Sequence, residues 1–211
     1  MIYSPDHNFL MLKNMKVGGT SLEVELSKVL PDNAIVTTIK PANDSHKPRN
    51  YGGFYNHMSY DEIERSINLV DVKSYVFVRN PYEIILSDFF HNLFLYRIDY
   101  LKISIEEKNR LLNKYFFIKN NEFSLLKSTK NLYTSKDDKL QANKVLRYED
   151  GIQFEINPIL LEHGINPIDM KTFEKSHRPK EINYKEVFSK NHIDLIQEEW
   201  AWEFDMFGYN K

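Results

Sequence analysis

Apolar positions along this chain come in two kinds of run. Short, nearly unbroken stretches at residues 9–12, 34–38, 75–78 and 144–148 read as strands. Between them, apolar residues recur at helical spacing over residues 21–30, 60–70, 81–94, 103–118, 152–163 and 191–202. In the first of these, Leu22, Leu26, Val29 and Leu30 fall at i, i+4, i+7 and i+8. Strands alternating with helices, with crossovers of this length, predict an α/β fold with a central parallel sheet flanked by helices. No linker interrupts the pattern, so residues 1–211 are expected to form a single domain. Ligands of such sheets bind beyond the carboxyl ends of the strands, which directs attention to the residues at the end of each apolar run.

After the first run the chain reads Lys13-Asn-Met-Lys-Val-Gly-Gly-Thr-Ser21 and then enters the helical pattern. A strand, a tight turn and a helix N-terminus together offer free backbone N–H groups and the positive end of a helix dipole to an anion. Gly18 and Gly19 permit positive φ and close approach of the backbone. Lys16 adds a mobile charge, and Thr20 and Ser21 add hydroxyl donors. The order differs from the Walker loop, in which the lysine comes after the glycines. After the run at 75–78 comes Arg79, at the expected carboxyl end of a buried strand. Pro81 then opens a helix, as proline does at a first helical position. Ser87 lies two turns into that helix, so a doubly charged group could be gripped by Arg79 and Ser87.

The pair Lys-Val-Gly-Gly-Thr-Ser and Val-Arg-Asn-Pro-Tyr, with a serine eight residues after the arginine, resembles the two nucleotide-binding signatures of the PAPS-dependent sulfotransferases. The branch it resembles contains carbohydrate sulfotransferases and bacterial and viral relatives. Weaker echoes are Leu146-Arg-Tyr-Glu-Asp150, similar to the family's late strand, and Glu203-Phe-Asp-Met-Phe-Gly-Tyr209, similar to its closing segment. Residues 95–143 carry no resemblance. The family's first signature reads Pro-Lys-Thr-Gly-Gly-Thr-Ser, so Met15 and Val17 depart from it, and Glu203 replaces an aspartate in the closing segment.

The resemblance implies a P-loop-like nucleotide-binding fold and 3′-phosphoadenosine-5′-phosphosulfate (PAPS) as co-substrate, with no metal. It implies that Lys16, Val17, Gly18, Gly19, Thr20, Ser21 and Leu22 hold the 5′-phosphosulfate, and that Arg79 and Ser87 hold the 3′-phosphate. The implied reaction moves a sulfuryl group to a hydroxyl, first among acceptors that of a carbohydrate, with Lys16 stabilising the leaving group. Two rival readings stand beside it. One is an inactive nucleotide-binding module of the same fold. The other is a small-molecule kinase, disfavoured by the missing Walker lysine.

Composition narrows the field without choosing within it. The chain is 42% hydrophobic and 27% charged, the balance of an ordinary globular protein. With no cysteine, disulfides, thiol nucleophiles and cysteine-ligated metals are excluded. A net charge of −2 argues against general nucleic-acid affinity. Basic side chains outnumber acidic ones over residues 99–148, which reads first as a solvated helical face and second as an attraction for an anionic acceptor. No leader pattern and no apolar run of spanning length occurs, so a cytoplasmic location without a membrane span is expected. Two long segments, 40–58 and 164–183, carry breakers such as Pro41, Pro48, Gly52-Gly53, Pro167 and Pro179. Long loops of this kind are often functional.

Sulfuryl transfer to a hydroxyl needs a base, and histidine titrates in the right range. Of the seven histidines, His57 is best placed. It ends the first long segment, just ahead of Ser59-Tyr-Asp-Glu62, a capping box that predicts a helix start there. The surrounding Phe-Tyr-Asn-His-Met-Ser-Tyr resembles a stretch of uronyl and heparan 2-O-sulfotransferases whose histidine is the base, with one residue fewer between tyrosine and histidine. His91, on the helix after Arg79, is the reserve. His163, ahead of Gly164, fits a helix C-terminus, and His177 sits in a small basic cluster, Lys175-Ser-His-Arg178. Glu62, Glu64 and Glu83 read as capping or helix-surface residues. The histidines are too scattered for metal-ligand spacing.

Overall fold

The computed structural model describes residues 1–40, 42–119, 126–170, 177–179 and 181–211. Parts of both long segments singled out above, Pro41 in the first and 171–176 and 180 in the second, lie outside the described residues. So do residues 120–125.

The described residues form two compact units, one comprising Met1–Arg79 and Lys130–Glu174, the other Asn80–Thr129 and Lys175–Lys211. The first is built on a five-stranded open sheet: β1 (Ile2–Ser4), β2 (Phe9–Leu12), β3 (Ile35–Val36), β4 (Lys73–Val78) and β5 (Lys144–Arg147), in the order β3-β1-β2-β4-β5. Its helices are α1 (Gly19–Val29) and α2 (Tyr60–Ser66), with a later one at Ile152–Glu162. The second unit holds α3 (Pro81–Leu95) and α4 (Ile105–Lys119). In chain order the helix Ile152–Glu162 is α5. The second unit then adds α6 (Tyr184–Val187), α7 (Lys190–Glu199) and α8 (Ala201–Phe207). The α/β class is as the sequence pattern predicts.

The sheet, however, is mixed, where a parallel one was expected. β2, β4 and β5 are parallel neighbours, with Leu12 opposite Val76 and Val78 opposite Arg147. β1 runs antiparallel to both β2 and β3. The cause is local. A single 3-10 turn at Pro5–His7, closed by Asn8 in the left-handed conformation at φ 48°, reverses the chain between β1 and β2. Connections that short join antiparallel strands only.

Side-chain alternation gives the sheet its core. Phe9 and Met11 of β2, Tyr75 and Phe77 of β4 and Leu146 of β5 share one cluster with Leu22 and Leu26 of α1 and with Ile152, Ile156, Ile159 and Leu160 of α5. The intervening Leu10, Leu12, Val76 and Val78 are buried as well, which accounts for unbroken rather than alternating apolar runs. The second unit has its own core, in which Tyr82, Leu86, Phe89, Phe90 and Leu93 of α3 pack with Leu112, Tyr115 and Phe116 of α4 and with Ile196, Trp200 and Phe204. No helix among the described residues is long and apolar enough to cross a membrane.

Candidate functional site

β2 brings the chain, fully buried, to the carboxyl end of the parallel strands. Asn14 forms the base of the turn after it. Its Nδ2 donates to the Phe77 carbonyl of β4 at 3.2 Å, and its Oδ1 accepts the Met15 N–H at 2.7 Å. Lys16 (φ 57°) and Gly18 (φ 73°) are both left-handed, and the chain reverses within these few residues into α1. The first main-chain bond of α1 runs from Leu22 N–H to the Gly18 carbonyl at 3.2 Å. The N–H groups of Gly19, Thr20 and Ser21 precede it and point out of the positive end of the helix. The side chains of Val17 and Leu22 belong to the core, so these two residues can meet a ligand only through the backbone. Ser21 is buried, whereas Thr20 and Lys16 are half-exposed.

The ends of β4 and β5 close on the same turn. Arg79, directly after β4, donates from Nη1 to the Lys16 carbonyl at 3.0 Å, and its guanidinium lies 4.2 Å above the centre of the Tyr148 ring. Tyr148, directly after β5, packs under the turn: its Cε2 lies 3.2 Å from the position that a Cβ on Gly18 would take, and Ile152 Cδ1 lies closer still. Three parallel strand ends therefore bring together a helix N-terminus, a lysine, an arginine and an aromatic ring. Such an arrangement holds a phosphate or similar anion.

His57 reaches this edge from the segment between β3 and α2. Its Nδ1 lies 3.1 Å from the Lys13 carbonyl. A carbonyl only accepts, so Nδ1 carries the proton of the neutral ring and Nε2 the lone pair. The residue is itself left-handed, at φ 58°. Two residues on, the predicted capping box is present, with Ser59 and Glu62 bonding each other's backbone N–H. The Ser59 hydroxyl, with Tyr55 and the Ser59 N–H, holds the Glu62 carboxyl below its ordinary pKa. That carboxylate is a cap rather than a base.

The two lysines of the stretch prove unlike. Lys13 is buried and its ammonium is paired with Glu23 of α1, which leaves Lys16 as the lysine at the surface of the turn. The sequence offered no sign of this pairing, since a glutamate one residue after Leu22 in an amphipathic helix reads as solvated. Tyr148 was visible only as part of the late-strand echo, and nothing pointed to its place beneath Gly18.

The remaining sequence-predicted residues have other surroundings. Ser87 is half-buried on α3, in the second unit. In that unit His91 stacks with His177 at 5.2 Å, and His177 lies flat against Phe94 at 3.8 Å. Glu83 is paired with Arg178 at 2.5 Å. Lys175 and Ser176 of the basic cluster lie outside the described residues. His163 stands at the end of α5, the position expected for it, and what it does there is hydrogen-bond other parts of the chain: Nδ1 donates to the His7 carbonyl at 2.6 Å, and Nε2 meets the Tyr75 hydroxyl at 2.7 Å. Among the described residues no cluster of histidine and carboxylate side chains could hold a metal ion. Compared with family models, curated proteins and solved structures, the chain matches none.

Proposed function

We propose that this chain is a PAPS-dependent sulfotransferase with a P-loop-like sheet extended by the antiparallel β1 and, beyond it, by β3, acting on a hydroxyl of a carbohydrate. The observation that carries the reading is the meeting of the two signature segments. Arg79 of the second is hydrogen-bonded to the Lys16 carbonyl of the first, at the ends of adjacent parallel strands. In this reading the N–H groups at the start of α1 and the Lys16 ammonium hold the 5′ end of the nucleotide, and the Arg79 guanidinium holds the 3′-phosphate. His57 accepts the proton of the acceptor hydroxyl on Nε2 while its Nδ1–H stays on the Lys13 carbonyl. The acceptor oxygen bonds to sulfur as the bond from sulfur to the bridging oxygen breaks. Lys16 neutralises the charge that grows on that oxygen. Positioning and electrostatics carry most of the rate, as in phosphoryl transfer.

Thermal unfolding with added nucleotides tests the reading. The bisphosphate product PAP should stabilise the protein by about 2.7 kcal/mol at roughly 100 times its Kd, while ATP with magnesium should not. Incubation with PAPS and a panel of glycans should then yield products heavier by one sulfuryl group. Stabilisation by ATP–magnesium alone would point to a kinase. Stabilisation by PAP with no product from any acceptor would leave a nucleotide-binding module.

A further inference from the structure

Behind His57 lies a buried polar network that meets the proposed chemistry only at the Lys13 carbonyl. Lys13 anchors it. The Lys13 carbonyl takes the Nδ1–H of His57 at 3.1 Å, and its ammonium pairs with Glu23. The Lys13 stem runs under the turn, with Cε 3.4 Å from where a Gly19 Cβ would lie. Glu23, almost wholly buried on α1, places its other carboxylate oxygen 3.2 Å from the Thr37 hydroxyl. Thr37 Oγ1 is also 3.4 Å from the side-chain oxygen of Asn56, the residue before His57. His57 is thus held at the Lys13 carbonyl, and Lys13 in turn at Glu23. Thr37 supports the same carboxylate, its single proton shared among the Met1 carbonyl at 3.0 Å, Glu23 and Asn56 while its oxygen accepts from the Met1 amino group at 2.8 Å. A buried ion pair is weak as a source of stability, because desolvation offsets much of the attraction. It is strong as a device for fixing geometry when every member is satisfied. A histidine in the left-handed region needs such a device, since that backbone conformation is costly for a non-glycine residue and persists only when its surroundings impose it.

We infer that Glu23, with Lys13 and Thr37, is a positioning residue that holds His57 in place with its proton on Nδ1 and its lone pair on Nε2. The inference rests on the proposed role of His57 for its consequence in catalysis, but not for its structural content. Nitrogen-15 NMR of histidine-labelled protein above neutral pH reads the tautomer directly, with the His57 signal assigned by its loss in His57→Gln. The wild type should show the Nδ1–H form. Glu23→Gln and Thr37→Val should shift His57 toward the Nε2–H form that an unrestrained imidazole favours. Glu25→Gln, which breaks only the ion pair to Lys28 on the same helix, should leave it unchanged. Thr37→Val also takes a partner at 2.8 Å from the buried Met1 amino group, so Thr37→Ser, which keeps the hydroxyl and should keep the Nδ1–H form, is its control. Whichever of Glu23→Gln and Thr37→Val folds decides the matter. Turnover should fall by up to about 100-fold in either variant, the scale of a small misplacement of a reacting group, with PAP affinity retained. An Nε2–H tautomer in the wild type, or an Nδ1–H signal that survives in every variant that folds, overturns the inference. If the wild type sulfates no acceptor, the proposed function fails while the tautomer still settles whether the network positions His57.

Discussion

Gly18 and Gly19 adjoin in the chain, yet the structure needs glycine at only one of them. Gly18 sits at φ 73°, and a Cβ there would overlap Ile152 Cδ1 and come within 3.2 Å of the Tyr148 ring. Gly19 is the first residue of α1, and the nearest neighbour of a Cβ there is the Lys13 stem at 3.4 Å, an ordinary contact. Gly18→Ala should therefore cost about 1–2 kcal/mol from the left-handed backbone alone, and more if Ile152 cannot yield. Gly19→Ala should stay within about 0.5 kcal/mol of the wild type. Paired thermal melts check this, and equal losses would show that the turn is strained at both positions. From sequence the two glycines look interchangeable, as do Lys13 and Lys16. Burial and a carboxylate partner separate the lysines, and a single φ angle separates the glycines. Neither quantity is written in local residue order, because both are set by side chains from β5, α5 and α1 that arrive from elsewhere in the chain.

Among elements, those with local punctuation were legible and those without it were not. The capping box at Ser59 fixes the start of α2, and Asn80 with Pro81 fixes the start of α3, where the Asn80 side chain accepts the Tyr82 N–H at 3.0 Å. β1 escaped because three residues cannot show a period. A single helix was expected over residues 191–202, and the structure breaks it at Trp200, whose backbone leaves helical geometry while its indole N–H bonds the Leu126 carbonyl at 2.9 Å. That break is tertiary in origin. The segment after β3 shows a second tertiary effect. Arg49, read from sequence as part of a long functional loop, donates to the carbonyls of Ser27, Leu30 and Pro31 and so closes the C-terminus of α1. The capping box itself yields a pH-dependent prediction. Ser59→Ala should cost about 1 kcal/mol near neutral pH. Because the Glu62 carboxyl is held below its ordinary pKa in the fold, its contribution is complete above the ordinary glutamate range and is lost as pH falls through the lowered folded value. The difference in melting temperature between wild type and Ser59→Ala should shrink in acid. A difference independent of pH would mean that the carboxylate half of the box contributes nothing.

For the molecule as a whole, the decisive fact is strand order, which no local pattern encodes. Lys16 and Arg79 are distant in sequence and meet because β2 and β4 are parallel neighbours, while β5 adds Tyr148 at the same edge. The α/β class comes from alternating periods, but the one reversed strand, β1, comes from one tight turn, and the adjacency of the signature segments only from the assembled sheet. Arg79 consequently has two roles that one variant must separate: it braces the turn through the Lys16 carbonyl and, in the proposed function, it grips the 3′-phosphate. Calorimetric titration of wild type and Arg79→Ala with PAP and with adenosine 5′-phosphate does so. Losing a half-buried, hydrogen-bonded partner of a phosphate should weaken PAP binding by about 2–5 kcal/mol. Adenosine 5′-phosphate, with no 3′-phosphate, should lose only what the loosened turn costs. Arg79→Lys should recover little for PAP, because an ammonium cannot reproduce the planar two-pronged grip or the stacking on Tyr148. If the two nucleotides lose equally, Arg79 acts solely as a brace, and the 3′-phosphate must be held by another residue.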